Sequence, residues 1–306
     1  MTLQLKLEAI HKTFITQCGQ IDIACYTAAM PVNSSSRLPV ALTIAGLDPS
    51  GGAGVIADIK TFTAFGCFAT AAITSLTFQN TAGVFGAAHQ TAETVRAQVM
   101  PVLEEFRVTA AKTGMLPTRE IIMEVARLFR ETTLPAPVVD PVVRSTSGYD
   151  LIDEDALAAL VRELMPLARL ITPNIPEAER ITGLRIKDEE GMRRAARALR
   201  GMGARAVLIK GGHLEGIADC GRRQKAEGSR QEREDARSAI DVLDDEGRVT
   251  EFRGEWIETT STHGTGCTLS AAIAACLGRR QSLQESVETA KRFVADAIRK
   301  TVTSDK

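Results

Sequence analysis

The run Thr262-His263-Gly264-Thr265-Gly266-Cys267-Thr268 opens a stretch of small residues, LSAAIAACLG, and combines features that can handle phosphate. Two glycines let the backbone come close to a ligand. A helix starting here offers unbonded N–H groups and the positive end of its dipole to an anion. Phosphoryl transfer needs chiefly such positioning and neutralisation of charge. The spacing alone fits an ordinary glycine-rich helix cap equally well. A P-loop is excluded because no Gly-Lys-Ser/Thr occurs, and a dinucleotide fingerprint is excluded because no G-x-G-x-x-G follows the first strand.

Three further motifs stand after apolar runs. Ala45 to Gly54 (AGLDPSGGAG) is long enough to wrap a small ligand and leads into a helix carrying Asp58. The alternative is a flexible loop with Asp58 solvated. Thr172 to Glu177 (TPNIPE) sets Asn174 and Glu177 on one helical face. Their oxygens suit Mg²⁺, and they equally suit an N-terminal capping box. Lys210-Gly211-Gly212-His213 sets a lysine beside two glycines, as a phosphate contact or a plain turn.

The elements that must hold these motifs follow from hydrophobic patterning. Short continuous apolar runs predict strands at Val40–Ala45, Ala71–Phe78, Ala111–Gly114, Val138–Val143, Leu170–Thr172 and Ala206–Lys210. Between and after them, amphipathic stretches predict helices at Ala53–Phe65, Thr91–Phe106, Arg119–Arg130, Glu154–Leu164, Glu189–Met202, Gly266–Leu277 and Leu283–Thr301. This alternation predicts an α/β fold with a mostly parallel sheet between helix layers. Ligands in such sheets bind beyond the carboxyl ends of the strands, where the motifs fall. Residues 1–38 lack this patterning and read as an extension, or as a start misassigned ahead of Met30. The charged run Cys220 to Arg237 reads as a solvated surface insert, with a nucleotide flap as the alternative.

Composition bounds the rest. The chain has 306 residues, 44% hydrophobic and 25% charged, with a formal net charge of -1. A chain this long can bury a large core without staples, and its balanced charge gives no reason to expect nucleic acid or an anionic membrane. Six cysteines without a C-x-x-C pair, and no secretory signal, point to a reducing cytoplasm. No apolar run approaches the ~20 residues of a membrane helix.

Taken in order, TIAGLDPSGGAG, ITSLTFQNT, AKTGML, DPV, TPNIPEA, KGGH and THGTGCTLSAA resemble the hydroxymethylpyrimidine/phosphomethylpyrimidine kinases of thiamine biosynthesis, a branch of the ribokinase-like superfamily. The resemblance runs from about Pro39 to the C-terminus. It implies a three-layer α/β/α kinase domain over residues 39–306, ATP and Mg²⁺ as cofactors, and a homodimer. It makes Gln79 the pyrimidine-reading residue, with Gly46, Asp58 and Met115 lining the pyrimidine pocket. A carboxamide complements an exocyclic amine beside a ring nitrogen. It makes Asn174 and Glu177 the Mg²⁺-associated pair and sets Lys210, Asp140, Thr172 and Thr265 on the nucleotide side. Gly264, Gly266 and Cys267 form the anion hole. Cys267 stands where sugar kinases of the superfamily carry an aspartate base. A thiol at a helix N-terminus can have its pKa lowered to ~3.5–7.5, so a thiolate would take the alcohol proton. Relatives often read DPVMVAKSG after the fourth strand, whereas this chain carries Thr146 at the usual lysine position and a new cation at Arg144. The rival readings are a pyridoxal kinase of the same subfamily and a non-catalytic pyrimidine-binding module.

Overall fold

The computed structural model describes residues 38–80, 83–143, 151–212, 238–255 and 264–304. Residues 1–37, Arg144, Thr146, His213, the insert at 220–237, Thr262 and His263 lie outside them. Residues Leu38–Lys306 make one unit. Its elements run β1 (Val40–Leu47), α1 (Gly54–Ala64), β2 (Phe68–Asn80), β3 (Gly83–His89), α2 (Ala92–Glu105), β4 (Val108–Thr113), α3 (Arg119–Glu131), β5 (Val138–Val139), α4 (Glu154–Ala159), β6 (Leu170–Ile171), α5 (Ile175–Thr182), α6 (Glu189–Gly201), β7 (Ala206–Ile209), β8 (Ser238–Asp245), β9 (Arg248–Glu255), α7 (Thr265–Gly278) and α8 (Leu283–Ser304).

Among the described residues the strands form one sheet in the order β3-β2-β1-β4-β5-β6-β7-β8-β9. Strands β1, β2, β4, β5, β6 and β7 pair in parallel, which requires the helical crossovers that the sequence alternation predicts. Side chains on one face pack with α2, α3, α4 and α6 around Val95, Ile121, Leu157 and Met192. The other face packs with α1, α7 and α8 around Phe62, Ile273 and Val287. This is the expected three-layer sandwich.

The differences from the sequence expectation have local causes. Only two residues of the run Val138–Val143 pair as a strand, because Pro141 has no N–H to continue the ladder. The helix expected over Glu154–Leu164 loosens at Leu160 into a π turn just ahead of Pro166. The antiparallel strands β3, β8 and β9 were not anticipated. β3 is rich in glycine and alanine, and the β8–β9 hairpin turns at Glu246 and Gly247, both at positive φ, a two-residue turn that suits strand twist.

Candidate active site

Strand alternation sets a row of chemistry at the carboxyl ends of the parallel strands. Ala41, Ala110, Val138, Leu170 and Leu208 belong to the cluster shared with α1, α7 and α8. Residues two positions further along face the same way. These are Thr43, Lys112, Asp140, Thr172 and Lys210, and the first turn of α7 lies over them.

Asp140 is the hub of the row. Lys210 Nζ donates to its Oδ1 at 3.0 Å, Thr172 Oγ1 to the same oxygen at 3.2 Å, and Ser270 Oγ of α7 to Oδ2 at 3.3 Å. Burial would push the Asp140 carboxyl up, but Lys210 and Lys112 together hold it below the usual range. Burial would likewise push Lys210 down, and Asp140 with Glu177 holds it up as an ammonium. A β-carbon at Gly266 would lie 3.2 Å from that ammonium, so the glycine brings the α7 turn directly onto Lys210.

The loop after β1 is folded, not slack. Asp48 accepts the Ser50 N–H at 2.8 Å, the Ser50 hydroxyl at 2.9 Å and the Ala53 N–H at 2.9 Å. Gly264 caps α7 at φ 79°, where a β-carbon would fall 1.8 Å from the Gly52 carbonyl oxygen. Only glycine lets the α7 start and the β1 loop close on each other.

At the start of α5 both readings of Asn174 and Glu177 meet. The Glu177 N–H donates to Asn174 Oδ1 at 2.9 Å, and the Asn174 N–H donates to Glu177 Oε2 at 2.8 Å, a complete capping box. Yet the Glu177 carboxyl is pushed up to about 7 by burial, with Lys210 pulling it down and Asp140 adding to the rise. A helix cap does not require such burial.

These groups share a cavity of about 1040 Å³. Its walls bring Gly46, Gln79 and Met115 together with Asp140, Asn174, Glu177 and Lys210, beneath Gly264, Thr265, Gly266 and Cys267. Two expected contact residues lie behind the wall instead. Asp58 is fully buried, and its carboxylate is taken by Lys112 and Thr43. Thr172 is fully buried and holds Asp140. Their hydrogen bonds direct both side chains into the sheet.

Cys267 also departs from expectation. It keeps some exposure, but its thiol is pushed up to about 11. Burial is the largest cause. Lys112 and the Gly54 N–H pull the other way, and Asp58 and Asp140 oppose them. Burial outweighs the helix terminus here. Lys112, Asp48 and Ser270 were not singled out from the sequence. For Lys112 a signal existed, since a lysine inside an apolar strand covered on both faces needs a buried partner.

The sequence pattern of the family described as phosphomethylpyrimidine kinase matches residues 48–306. The chain belongs to the phosphomethylpyrimidine kinase family. A hydroxymethylpyrimidine/phosphomethylpyrimidine kinase of Rhizobium meliloti is 44% identical over 260 residues, covering 85% of this chain and 90% of that protein. A bifunctional thiamine biosynthesis protein of Geobacter sulfurreducens is 42% identical over 84% of this chain, which spans 49% of that longer protein. Among solved structures, the phosphomethylpyrimidine kinase of Clostridium difficile superposes with a TM-score of 0.70 at 36% identity, covering 86% of this chain and 100% of that one. The pyridoxal kinase of Staphylococcus aureus in complex with ADP gives 0.73 at 30% identity, covering 86% and 89%. As a kinase of this family the chain uses ATP, and the fold is ribokinase-like.

Proposed function

We propose that this family member phosphorylates hydroxymethylpyrimidine and then its monophosphate, with ATP as donor. The observation that carries the reading is Gln79 on the wall of the cavity that also holds the α7 N-terminus, Asp140 and Lys210. A carboxamide there can pair with an exocyclic amine and the adjacent ring nitrogen. Gly46 and Met115 give the pyrimidine its close-fitting wall. A β-carbon at Gly46 would meet the Met115 sulfur at 3.1 Å, so the glycine lets Met115 pack directly against the β1 backbone.

The phosphates of ATP would meet the N–H groups of Thr265 to Cys267 and the Lys210 ammonium. These act on charge that develops in the transition state, and the backbone N–H groups survive changes of side chain. Glu177 and Asn174 fit a Mg²⁺ ion. Both line the cavity with oxygen donors, and a cation near Glu177 would relieve the burial that raises its carboxyl. Among the described residues no three metal-ligating side chains cluster, so water and phosphate oxygens would complete the shell. Such an ion, when bound, supplies charge neutralisation on the phosphates. Cys267 would accept the proton of the alcohol.

A pyridoxal kinase activity is the second reading, favoured by the TM-score of 0.73 to a pyridoxal kinase. A product assay with ATP, Mg²⁺ and three acceptors decides between them: the pyrimidine alcohol, its monophosphate and pyridoxal. Faster turnover of pyridoxal than of both pyrimidines would overturn the assignment.

We further infer a cytoplasmic homodimer. Among the described residues no helix is long and apolar enough to cross a membrane. The β2–β3 ribbon exposes Leu76, Phe78 at 55% and Phe85 at 73% along one end of the sheet, an apolar strip suited to a second copy. Sedimentation of the chain and of a Phe78→Ser/Phe85→Ser variant tests this, and an unchanged dimer in the variant would remove the strip from the interface.

A further inference from the structure

Three elements meet under the cavity on the same face of the sheet. Helix α1 brings Asp58, strand β4 brings Lys112, and the first turn of α7 brings Cys267. Lys112 is fully buried, yet its ammonium is not consumed by packing. Its Nζ donates to Asp58 Oδ1 at 2.9 Å and Oδ2 at 2.8 Å, and an ammonium has three donors. Thr43, opposite Lys112 in the β1–β4 register, donates to Asp58 Oδ2 at 2.6 Å and fixes the carboxylate. A β-carbon at Gly114 would lie 3.0 Å from Nζ, so the glycine makes room for the buried ammonium head, and Lys112 and Cys267 border the same cavity.

The course of β4 points that head toward α7. Ala110 packs under Gly278 at the C-terminal end of α7, where an added β-carbon would be 2.8 Å from the Ala110 β-carbon. Lys112 lies two residues further along on the same face, and its long side chain reaches toward the N-terminal turn. There it interacts electrostatically with both Cys267 and Asp140. Burial would push Lys112 down, but Asp58, Cys267 and Asp140 together hold it above the ordinary lysine range, so it stays charged.

We propose that Lys112, anchored by Asp58 and Thr43, is a positioning residue that acts as the fixed counter-charge of the Cys267 sulfur. The proposal rests on the reading of Cys267 as proton acceptor. In that step the alcohol oxygen bonds to the γ-phosphorus while the bond from that phosphorus to its bridging oxygen breaks. ADP leaves with the electron pair, and the alcohol proton passes to the sulfur. The sulfur must therefore carry its negative charge before transfer, in a place where burial opposes charge. The charged groups facing it are Lys112 from β4, Asp58 from α1, Asp140 after β5 and Lys210 after β7. Of these, Lys112 is the foremost one drawing the thiol toward ionisation.

The test is alkylation of Cys267 by iodoacetamide in the full chain, followed by mass spectrometry between about pH 7 and 10, where thiolate is the reacting species. Lys112→Met slows Cys267 alkylation by about tenfold at each pH, and Lys112→Arg recovers most of the rate. The buried thiols of Cys67 and Cys276 are the internal control, because a merely loosened fold speeds them along with Cys267. If Lys112→Met leaves Asp58 unpaired and fails to fold, Lys112→Met/Asp58→Asn decides alone. It slows Cys267 less, because the opposing push of Asp58 is lost too. A wild-type alkylation rate in the folded variant overturns the proposal. Phosphorylation of the pyrimidine alcohol is followed in parallel. If alkylation slows but alcohol turnover does not, the counter-charge stands and the role of Cys267 as acceptor falls.

Discussion

Glu177→Gln separates a structural cap from a functional carboxylate by sign. The Glu177 carboxyl is raised from an ordinary 4.5 to about 7, chiefly by burial. The folded protein thus holds this proton more tightly than the unfolded chain. Below about pH 4.5 both states are protonated and Glu177 costs nothing. Between 4.5 and 7 the unfolded state gains by ionising first, and above 7 the penalty is complete. At ~1.36 kcal/mol per pH unit the full penalty is about 3 kcal/mol. Glutamine is neutral at every pH and keeps an oxygen that can accept the Asn174 N–H. Metal-free Glu177→Gln should therefore melt about 5 °C or more above the native protein at pH 8 and close to it at pH 5. Kinase activity should fall despite the gain. Thermal melts in EDTA at the two pH values, with turnover measured in Mg²⁺ and ATP, check both halves. A variant less stable than the native chain at pH 8, with its folded fraction fully active, would refute the reasoning and leave Glu177 a helix cap.

Gln79→Leu leaves the amine and ring nitrogen of the pyrimidine unpaired, at ~1–3 kcal/mol per buried group, so KM for the alcohol rises at least about tenfold, read by steady-state kinetics. Cys267→Ser slows phosphorylation of the alcohol by ~10²–10⁴-fold and of the already anionic monophosphate only mildly. Equal losses in both steps would assign Cys267 to the anion hole alone. With its thiol near 11, the native first step should quicken steadily from neutral to alkaline pH, whereas the second should not. A chain beginning at Met30 should match the full chain in melting temperature and activity, and a large drop in either would show that residues 1–29 pack on the core.

What could be read from the sequence divides along a physical line. Strand runs such as Val40–Ala45 and Ala206–Lys210 were legible because burial on both faces imposes continuous apolar character. So were the motif positions, because the backbone approach at Gly264 admits no side chain. The facing of individual polar side chains was not legible. Asp58 lies one turn into a helix beside the ligand loop, and nothing in its spacing says that it points at Lys112 instead of the cavity. The acidity of Cys267 was not legible for the same reason. A helix N-terminus is visible in sequence and favours a thiolate, but the burial that outweighs it arises from α1, β4 and α7 converging, which is a tertiary fact.

That convergence bears on why the site would need an added cation. Its two lysines, buried Lys112 and half-buried Lys210, are not free positive charges. Lys112 is matched by Asp58 and Lys210 by Asp140, so the row beneath α7 is close to neutral. Matched pairs suit a resting cavity, since a lone buried ammonium would be forced to shed its proton. They also mean that several negative charges on ATP arrive at a floor with little net charge to offer. The N–H groups of Thr265 to Cys267 supply partial charges only. Glu177, which would become a further anion above pH 7, makes the balance worse. A divalent cation beside Glu177 would correct both faults at once, lowering the cost of that carboxylate and neutralising phosphate. Charge balance in the described residues thus argues for Mg²⁺ independently of the family resemblance. It predicts that ADP alone binds more weakly as pH rises through 7 and that Mg²⁺ abolishes this pH dependence. Calorimetric titration with and without Mg²⁺ would show it, and pH-independent binding of metal-free ADP would remove Glu177 from the phosphate side.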